Sequence, residues 1–305
     1  MRTSRPECAI VVHGGAGAGS GLNDGCIVAA DAARCDLNEG GAALSAAVAA
    51  VVSMENDGRF NAGTGAALGL DGKTIEMDAC VMDTQGRLGA VTLLRGVKNP
   101  VLVARQIADT PHCLIGGEGA VRFARAMGHA PYDKVSEHAR QQYREMMAKL
   151  ESDDAAMPGV ANGDFLKFWN YADAPRFRIP SATDTVGAVV RDHDGGFAVA
   201  GSTGGSAPSL LGRVGDTPLV GCGFYAGTFG AVAATGVGEY MIRTLLAVRV
   251  YHWISEGVSV AEALARGIAL FPADVPVGLI AVSATEAGAC ANADMPHAIV
   301  RGTAG

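Results

Sequence analysis

Residues 185–202 constrain the fold more than any other stretch: two short apolar runs flank Asp192-His193-Asp194-Gly195-Gly196. The runs at 185–191 and 197–202 are rich in valine and alanine. The acidic stretch between them ends in glycines, which adopt the left-handed backbone of a short hairpin loop without steric cost. Two such runs read as neighbouring antiparallel strands. With the turn centred near Asp194, Thr185 falls opposite Thr203, their Cβ atoms about 5 Å apart. A glycine bulge would move this register by one residue. An ordinary cross-strand threonine pair accounts for the same two residues.

Strand patterns also occur at 8–12, 88–94, 231–234 and 278–283, with a final strand pair closing the chain. A hairpin is expected from strands at 66–70 and 74–82 turning at Asp71-Gly72. Helical patterns cover about 24–38, 41–56, 119–127 and 136–150. Another helix opens at Asn99-Pro100, where proline suits the first turn. A long amphipathic helix runs from about Gly238 to Ser255, and one more begins at Val260. Periodicity is lost over 151–184, which reads as a linker within a single domain spanning 1–305.

Composition excludes several functions. Twenty-four Lys and Arg stand against 31 Asp and Glu, a net charge of −7. A nucleic-acid binder needs the opposite field, so no nucleic-acid partner is expected. No apolar run reaches the length of a membrane span, and the start is too short in apolar residues for a signal peptide. Seven scattered cysteines without a C-x-x-C pair suggest reduced thiols in a cytoplasmic protein. Phosphate and dinucleotide fingerprints fail: Ala67 and Ser20 stand where each needs glycine. His13-Gly14-Gly15 is like the oxyanion loop of lipase-like esterases, but no G-x-S-x-G elbow accompanies it.

Three features around the hairpin carry chemistry. Gly204-Gly205 follows Thr203 and brings backbone close to a site. Arg213 and Asp216 lie three apart in a glycine-rich turn. An arginine fork holds a carboxylate and an aspartate pairs an ammonium, so together they could recognise the α-groups of an amino acid. An Arg–Asp pair bridging its own turn is the bland alternative. Thr235-Gly236 lies where a strand meets a helix start, a place suited to developing negative charge.

The segments DTVGAVV (184–190), GSTGG (201–205), GRVGDTP (212–218) and ATGVGE (234–239) resemble the N-terminal-threonine asparaginases. This family includes plant-type L-asparaginases, isoaspartyl peptidases and glycosylasparaginases. VVHGGAG (11–17), FNAGTG (60–65) and MDACVMD (77–83) resemble its other signatures, in order along nearly the whole chain.

The resemblance implies an α+β fold, a four-layer αββα sandwich of the N-terminal nucleophile hydrolase type. It implies cleavage between Asp184 and Thr185, giving an α chain of residues 1–184 and a β chain of 185–305. Thr185 is then the nucleophile and its freed α-amine the base. Thr203 orients it, while Thr235 and Gly236 form the oxyanion hole. Arg213 and Asp216 would hold the substrate, with Val214, Gly215, Val237, Gly238 and Asn61 lining the pocket. No cofactor is required. In several relatives a loop binds a structural sodium, corresponding to backbone at Met54, Glu55, Asp57 and Phe60. The implied partners are a small amino acid or dipeptide substrate and a second copy, in a dimer of cleaved αβ units.

The implied activity is hydrolysis of L-asparagine and β-aspartyl (isoaspartyl) dipeptides, releasing aspartate. Departures leave two alternatives open. Asp184 before the nucleophile is glycosylasparaginase-like, whereas Gly204-Gly205 is asparaginase-like. Gly227 stands where the family usually has Asp or Asn. A glycosylasparaginase, or a relative that binds an amino acid without processing itself, fits the same residues.

Overall fold

The computed structural model describes residues 7–151, 168–172, 182–183 and 185–302. Asp184 and most of the expected linker lie outside these. In chain order the strands are β1 (Cys8–His13), β2 (Met77–Asp83), β3 (Leu88–Leu94), β4 (Leu114–Gly116), β5 (Ala182–Thr183), β6 (Val186–Arg191) and β7 (Phe197–Thr203). They continue as β8 (Ser206–Ala207), β9 (Phe224–Gly227), β10 (Gly230–Gly236), β11 (Val277–Ser283), β12 (Ala287–Ala291) and β13 (His297–Gly302). The helices are α1 (Asn23–Asn38), α2 (Ala43–Asp57), α3 (Pro100–Ile107), α4 (Gly117–Ala126), α5 (Glu137–Glu151), α6 (Gly238–Thr244), α7 (Leu246–Ser255) and α8 (Val260–Ile268).

A seven-stranded sheet has the order β13-β1-β6-β7-β2-β3-β4 and a four-stranded sheet the order β12-β11-β10-β9. The strands β1, β6 and β7 are buried along their whole length, which is why they read as unbroken apolar runs. Alternation along each strand then sorts side chains between two cores. Ile10, Val12, Val186, Ala188, Val190, Ala198 and Ala200 pack outward against α1, α2 and α3. Ala9, Val11, Val189, Phe197, Val199, Ala231, Ala233, Ile280 and Val282 pack inward, between the sheets. A third core joins the outer face of the small sheet to α7 and α8. The result is helix, sheet, sheet, helix: the four-layer αββα sandwich expected above.

The hairpin β6–β7 pairs Val186 with Ser202 and Arg191 with Phe197, so no bulge displaces it. Elsewhere tertiary structure overrides local pattern. Residues 66–70 form no strand; Asp71 accepts from the Lys73 and Thr74 amides and the Thr74 hydroxyl, closing a side-chain turn instead. The long helix ending at Ser255 is two helices, broken where Leu245 takes a left-handed φ of 50°. The last two strands do not pair with each other: β12 adds to β11 and β13 to β1. Among the described residues no helix is long and apolar enough to cross a membrane.

Candidate active site

Continuing the alternation by one step fills the end of the inter-sheet layer with polar groups. After Val11 the inward residue is His13; after Val189 come Gly187 and Thr185. Past Val199 come Gly201 and Thr203, before Cys80 comes Asp78, and after Ala233 comes Thr235. The antiparallel registers His13–Gly187 and Asp78–Thr203 bring their strand ends to one edge of the sandwich. Across the layer, a Cβ on Gly187 would sit 2.4 Å from His13 Nε2 and 3.3 Å from the Ala233 Cβ. Glycine there lets the His13 ring lie between the sheets. His13 is fully buried, its ring nitrogens make no hydrogen bond of ordinary geometry among the described residues, and burial lowers its pKa to about 3 against a weaker pull from the Thr185 backbone. It is a neutral imidazole.

The Thr185 hydroxyl donates to Thr203 Oγ at 3.3 Å, and the Gly205 amide donates to the same oxygen at 3.1 Å. Thr203 thus places the Thr185 oxygen by a bond supported from behind. Asn61 holds the turn that follows: its Nδ2 donates to the Gly205 carbonyl at 2.7 Å and its Oδ1 accepts from the Ala67 amide at 2.8 Å. Both ends of the Asn61 amide are therefore spent on backbone.

Thr235 is buried at the end of β10, and its Oγ accepts from the Ala16 amide at 3.3 Å. That bond ties the glycine-rich loop after β1 to the small sheet and leaves the Thr235 hydroxyl proton free to point elsewhere. Gly236 has φ +133°, and a Cβ there would lie 2.3 Å from the Pro276 carbonyl, so only glycine fits. Val237 caps the short helix α6 that starts at Gly238.

Arg213 does not bridge to Asp216. Its Nε and Nη2 donate to Glu239 Oε1 and Oε2 at 3.0 and 2.9 Å, a two-bond fork. Burial opposes the guanidinium charge, but Glu239 outweighs it and raises the pKa. Burial likewise disfavours the Glu239 carboxylate, and Arg213 overcomes this to lower its pKa. Asp216 is buried, and among the described residues its Oδ2 has no hydrogen-bond partner. Desolvation pushes its pKa up to about 7 against the pull of Arg213. Burial also raises Asp78, although the Thr92 hydroxyl and Leu93 amide donate to its Oδ1 at 2.6 and 2.9 Å. One cation thus faces three carboxylates, an arrangement that favours an incoming ammonium.

Backbone closes over this group at glycines. A Cβ on Gly238 would stand 2.8 Å from Arg213 Nη2 and 2.9 Å from Asp216 Oδ1; one on Gly215 would stand 2.7 Å from Arg213 Nη1. Of the expected residues, the structure brings Thr185, Thr203, Thr235, Arg213, Gly215, Asp216, Gly238 and Asn61 to the inter-sheet edge or the backbone bordering it. Sequence reasoning missed Glu239, Asp78 and His13. Each stood in a quoted motif, but none had a local partner to betray its role.

At the C-terminus of α2, the last carbonyls, those of Met54 to Asp57, have no partner within the helix, and the helix dipole favours a cation there. Gly63 and Gly65 turn beside this end: a Cβ on Gly63 would lie 2.8 Å from the Glu55 carbonyl, and one on Gly65 2.1 Å from that of Phe60. The Glu55 side chain turns away, its Oε1 accepting from the Val101 amide at 3.0 Å. The Glu55 and Phe60 carbonyls, two of the four expected to hold sodium, border this turn, and that of Phe60 also accepts from the Ala62 amide at 2.8 Å. Among the described residues no cluster of three or more His, Cys, Asp or Glu could hold a metal ion by side chains.

A family model described as asparaginase matches residues 6–304. The plant-type L-asparaginase of Pyrococcus horikoshii is 38% identical over 86% of this chain and 84% of its own. The isoaspartyl peptidase/L-asparaginase of Macaca fascicularis is 36% identical over 90% of this chain and 87% of its own. The mouse protein of the same name is 37% identical over 83% of this chain and 74% of its own.

Proposed function

The chain belongs to the asparaginase family, and from that membership we propose that it hydrolyses L-asparagine and β-aspartyl dipeptides with Thr185 as nucleophile, releasing L-aspartate. The observation that carries the reading is the Thr185–Thr203 hydroxyl bond, at the strand ends that also bring Asp78, Thr235 and His13 together.

In this reading the chain first cuts itself. Thr185 Oγ attacks the carbonyl of Asp184, the amide becomes an ester by N-to-O shift, and water releases residues 1–184 from 185–305. The new α-amine of Thr185 has an intrinsic pKa of roughly 7.7–8.0, so near neutral pH it can take the proton of its own hydroxyl. His13, neutral and walled in, is not needed as that base. Thr185 Oγ then attacks the substrate's side-chain amide. The Thr235 hydroxyl and the Gly236 amide stabilise the oxyanion, the α-amine hands its proton to the leaving ammonia or amino acid, and water resolves the aspartyl ester.

Binding follows from the charges. The substrate ammonium satisfies the unpaired Oδ2 of Asp216, and the α-carboxylate joins Arg213 by displacing or sharing Glu239. Val214, Gly215, Val237 and Gly238 supply the backbone wall around them, and Asn61 steadies the turn behind Thr203. Carbonyls of Met54, Glu55, Asp57 and Phe60 would hold a structural sodium, whose charge would steady the loop leading to Asn61. The reading extends to a dimer of cleaved αβ units in the cytoplasm, requiring no cofactor. Release of aspartate from a β-aspartyl dipeptide by wild type, and its absence with Thr185→Ala, is the expected result. Equal turnover by both proteins would refute the assignment of Thr185.

A further inference from the structure

We propose that Glu76 is a positioning residue for the substrate clamp, holding the glycine turn that carries Arg213. The inference rests on the reading of Arg213 and Asp216 as the aspartyl-binding pair. Glu76 stands one residue before β2, and its side chain is 16% exposed. Both carboxylate oxygens are committed. Oε2 accepts from the Gly212 amide at 2.7 Å, and Oε1 accepts from Arg95 Nη2 at 2.6 Å.

Gly212 has a left-handed φ of +80° and immediately precedes Arg213. Short-range bonds close the turn it opens, from the Arg213 amide to the Leu210 carbonyl and from the Leu219 amide to the Asp216 carbonyl, while Asn170 exchanges two bonds with Leu211 and Arg213 forks to Glu239. The Asn170 pair holds the approach to the turn and the fork holds Arg213 to α6, and neither reaches β2. The bond from Glu76 spans 136 residues and ties the turn to β2, the strand whose Asp78 lies opposite Thr203. A charged acceptor makes this bond about twice as strong as a neutral one.

Glu76, Gly204, Gly205, Ser206 and Arg213 line one small cleft, so a shift of the turn changes the distance between the clamp and the nucleophile. A carboxylate in such a cleft could instead grip a substrate ammonium directly. Its two occupied oxygens argue for the supporting role. Arg95 is half exposed and holds the carboxylate oxygen that Gly212 does not use.

Steady-state kinetics of the cleaved protein on a β-aspartyl dipeptide test this. Glu76→Ala is expected to raise KM about tenfold while kcat and the rate of self-cleavage stay within about twofold of wild type. Glu76→Gln, which keeps one acceptor for Gly212, should fall between. Arg95→Met acts from the exposed side and should raise KM less, with Arg95→Lys restoring it; these variants decide the matter if Glu76→Ala does not fold. An unchanged KM, or a kcat that falls in step with self-cleavage, overturns the proposal. Should wild type turn over no β-aspartyl substrate, the amidohydrolase reading fails separately. Calorimetric binding of L-aspartate to the same variants then decides for Glu76: about tenfold weaker binding supports it and equal affinity overturns it.

Discussion

Glu239 closes on Arg213 through two hydrogen bonds of 3.0 and 2.9 Å, although 26 residues separate them, and leaves the nearer acid in sequence, Asp216, without an ion-pair partner among the described residues. The guanidinium is therefore oriented before substrate arrives. The buried carboxylate beside it is the group with an unmet need.

A fork of this kind requires the planar arginine. Arg213→Lys keeps the charge but loses one of the two parallel bonds, both to Glu239 and to a substrate carboxylate. The expected loss in kcat/KM is about 10–100-fold, the value of a charge-assisted bond, and it should appear mainly in KM. Kinetics on L-asparagine check this; a lysine variant with wild-type KM would place substrate recognition elsewhere.

Asp216 makes binding depend on pH. Its carboxyl is pushed up to about 7 by burial, so below that pH it is protonated and cannot pair an ammonium. The inhibition constant of L-aspartate is expected to weaken as pH falls through about 7. Stability moves the opposite way: the folded pKa of about 7 lies above the ordinary 3.8, so the neutral acid's contribution is fully present below about 4 and is lost progressively as pH rises from there through 7. Asp216→Asn should therefore gain in melting temperature on wild type as pH rises, with a larger advantage at pH 8 than at pH 4. Thermal unfolding at the two pH values is the check.

Thr203 offers a sharper contrast. Alanine there removes the acceptor for both the Thr185 hydroxyl and the Gly205 amide. A misplaced nucleophile costs on the order of 100-fold, so Thr203→Ala should lose about that much in kcat, whereas Thr203→Ser, which keeps the oxygen, should stay within about tenfold of wild type. Rates of the cleaved proteins at saturating substrate distinguish the two.

Gly238 tests the closeness of the backbone wall. A methyl group there would press on Arg213 Nη2 at 2.8 Å, on Asp216 Oδ1 at 2.9 Å and, less closely, on the Asp216 amide nitrogen at 3.2 Å. Gly238→Ala should fold normally and raise KM by about tenfold or more, because the pair must move apart. A melting temperature near wild type combined with a raised KM is the expected pair of results.

What could be read from residues alone follows the range of the interactions. The β6–β7 register was legible because two apolar runs and a glycine-ended turn lie within twenty residues, and that register alone puts Thr185 beside Thr203. Strand β3 was legible end to end as a single local apolar run. The break at Leu245 was not, since no glycine or proline marks it and the amides just after it, of Ala247 and Val248, bond to the distant Cys222 and Gly221 carbonyls. The strand expected at 66–70 failed because its amides go to separate partners, Ala66 to the Gly63 carbonyl and Ala67 to Asn61 Oδ1, while Asp71 takes those of Lys73 and Thr74. Neither the Glu239 fork nor the tie from Glu76 to Gly212 has a local signature; both partners meet only after the sheets assemble.

Self-cleavage is the central claim. Purified protein held at neutral pH and sampled over days on a denaturing gel should convert from one 31.0 kDa band to two, corresponding to residues 1–184 and 185–305. N-terminal sequencing of the smaller fragment should read Thr-Val-Gly-Ala-Val, and Thr185→Ala should stay whole. A single stable band in both proteins would contradict the mechanism and leave a chain that binds an amino acid without activating itself.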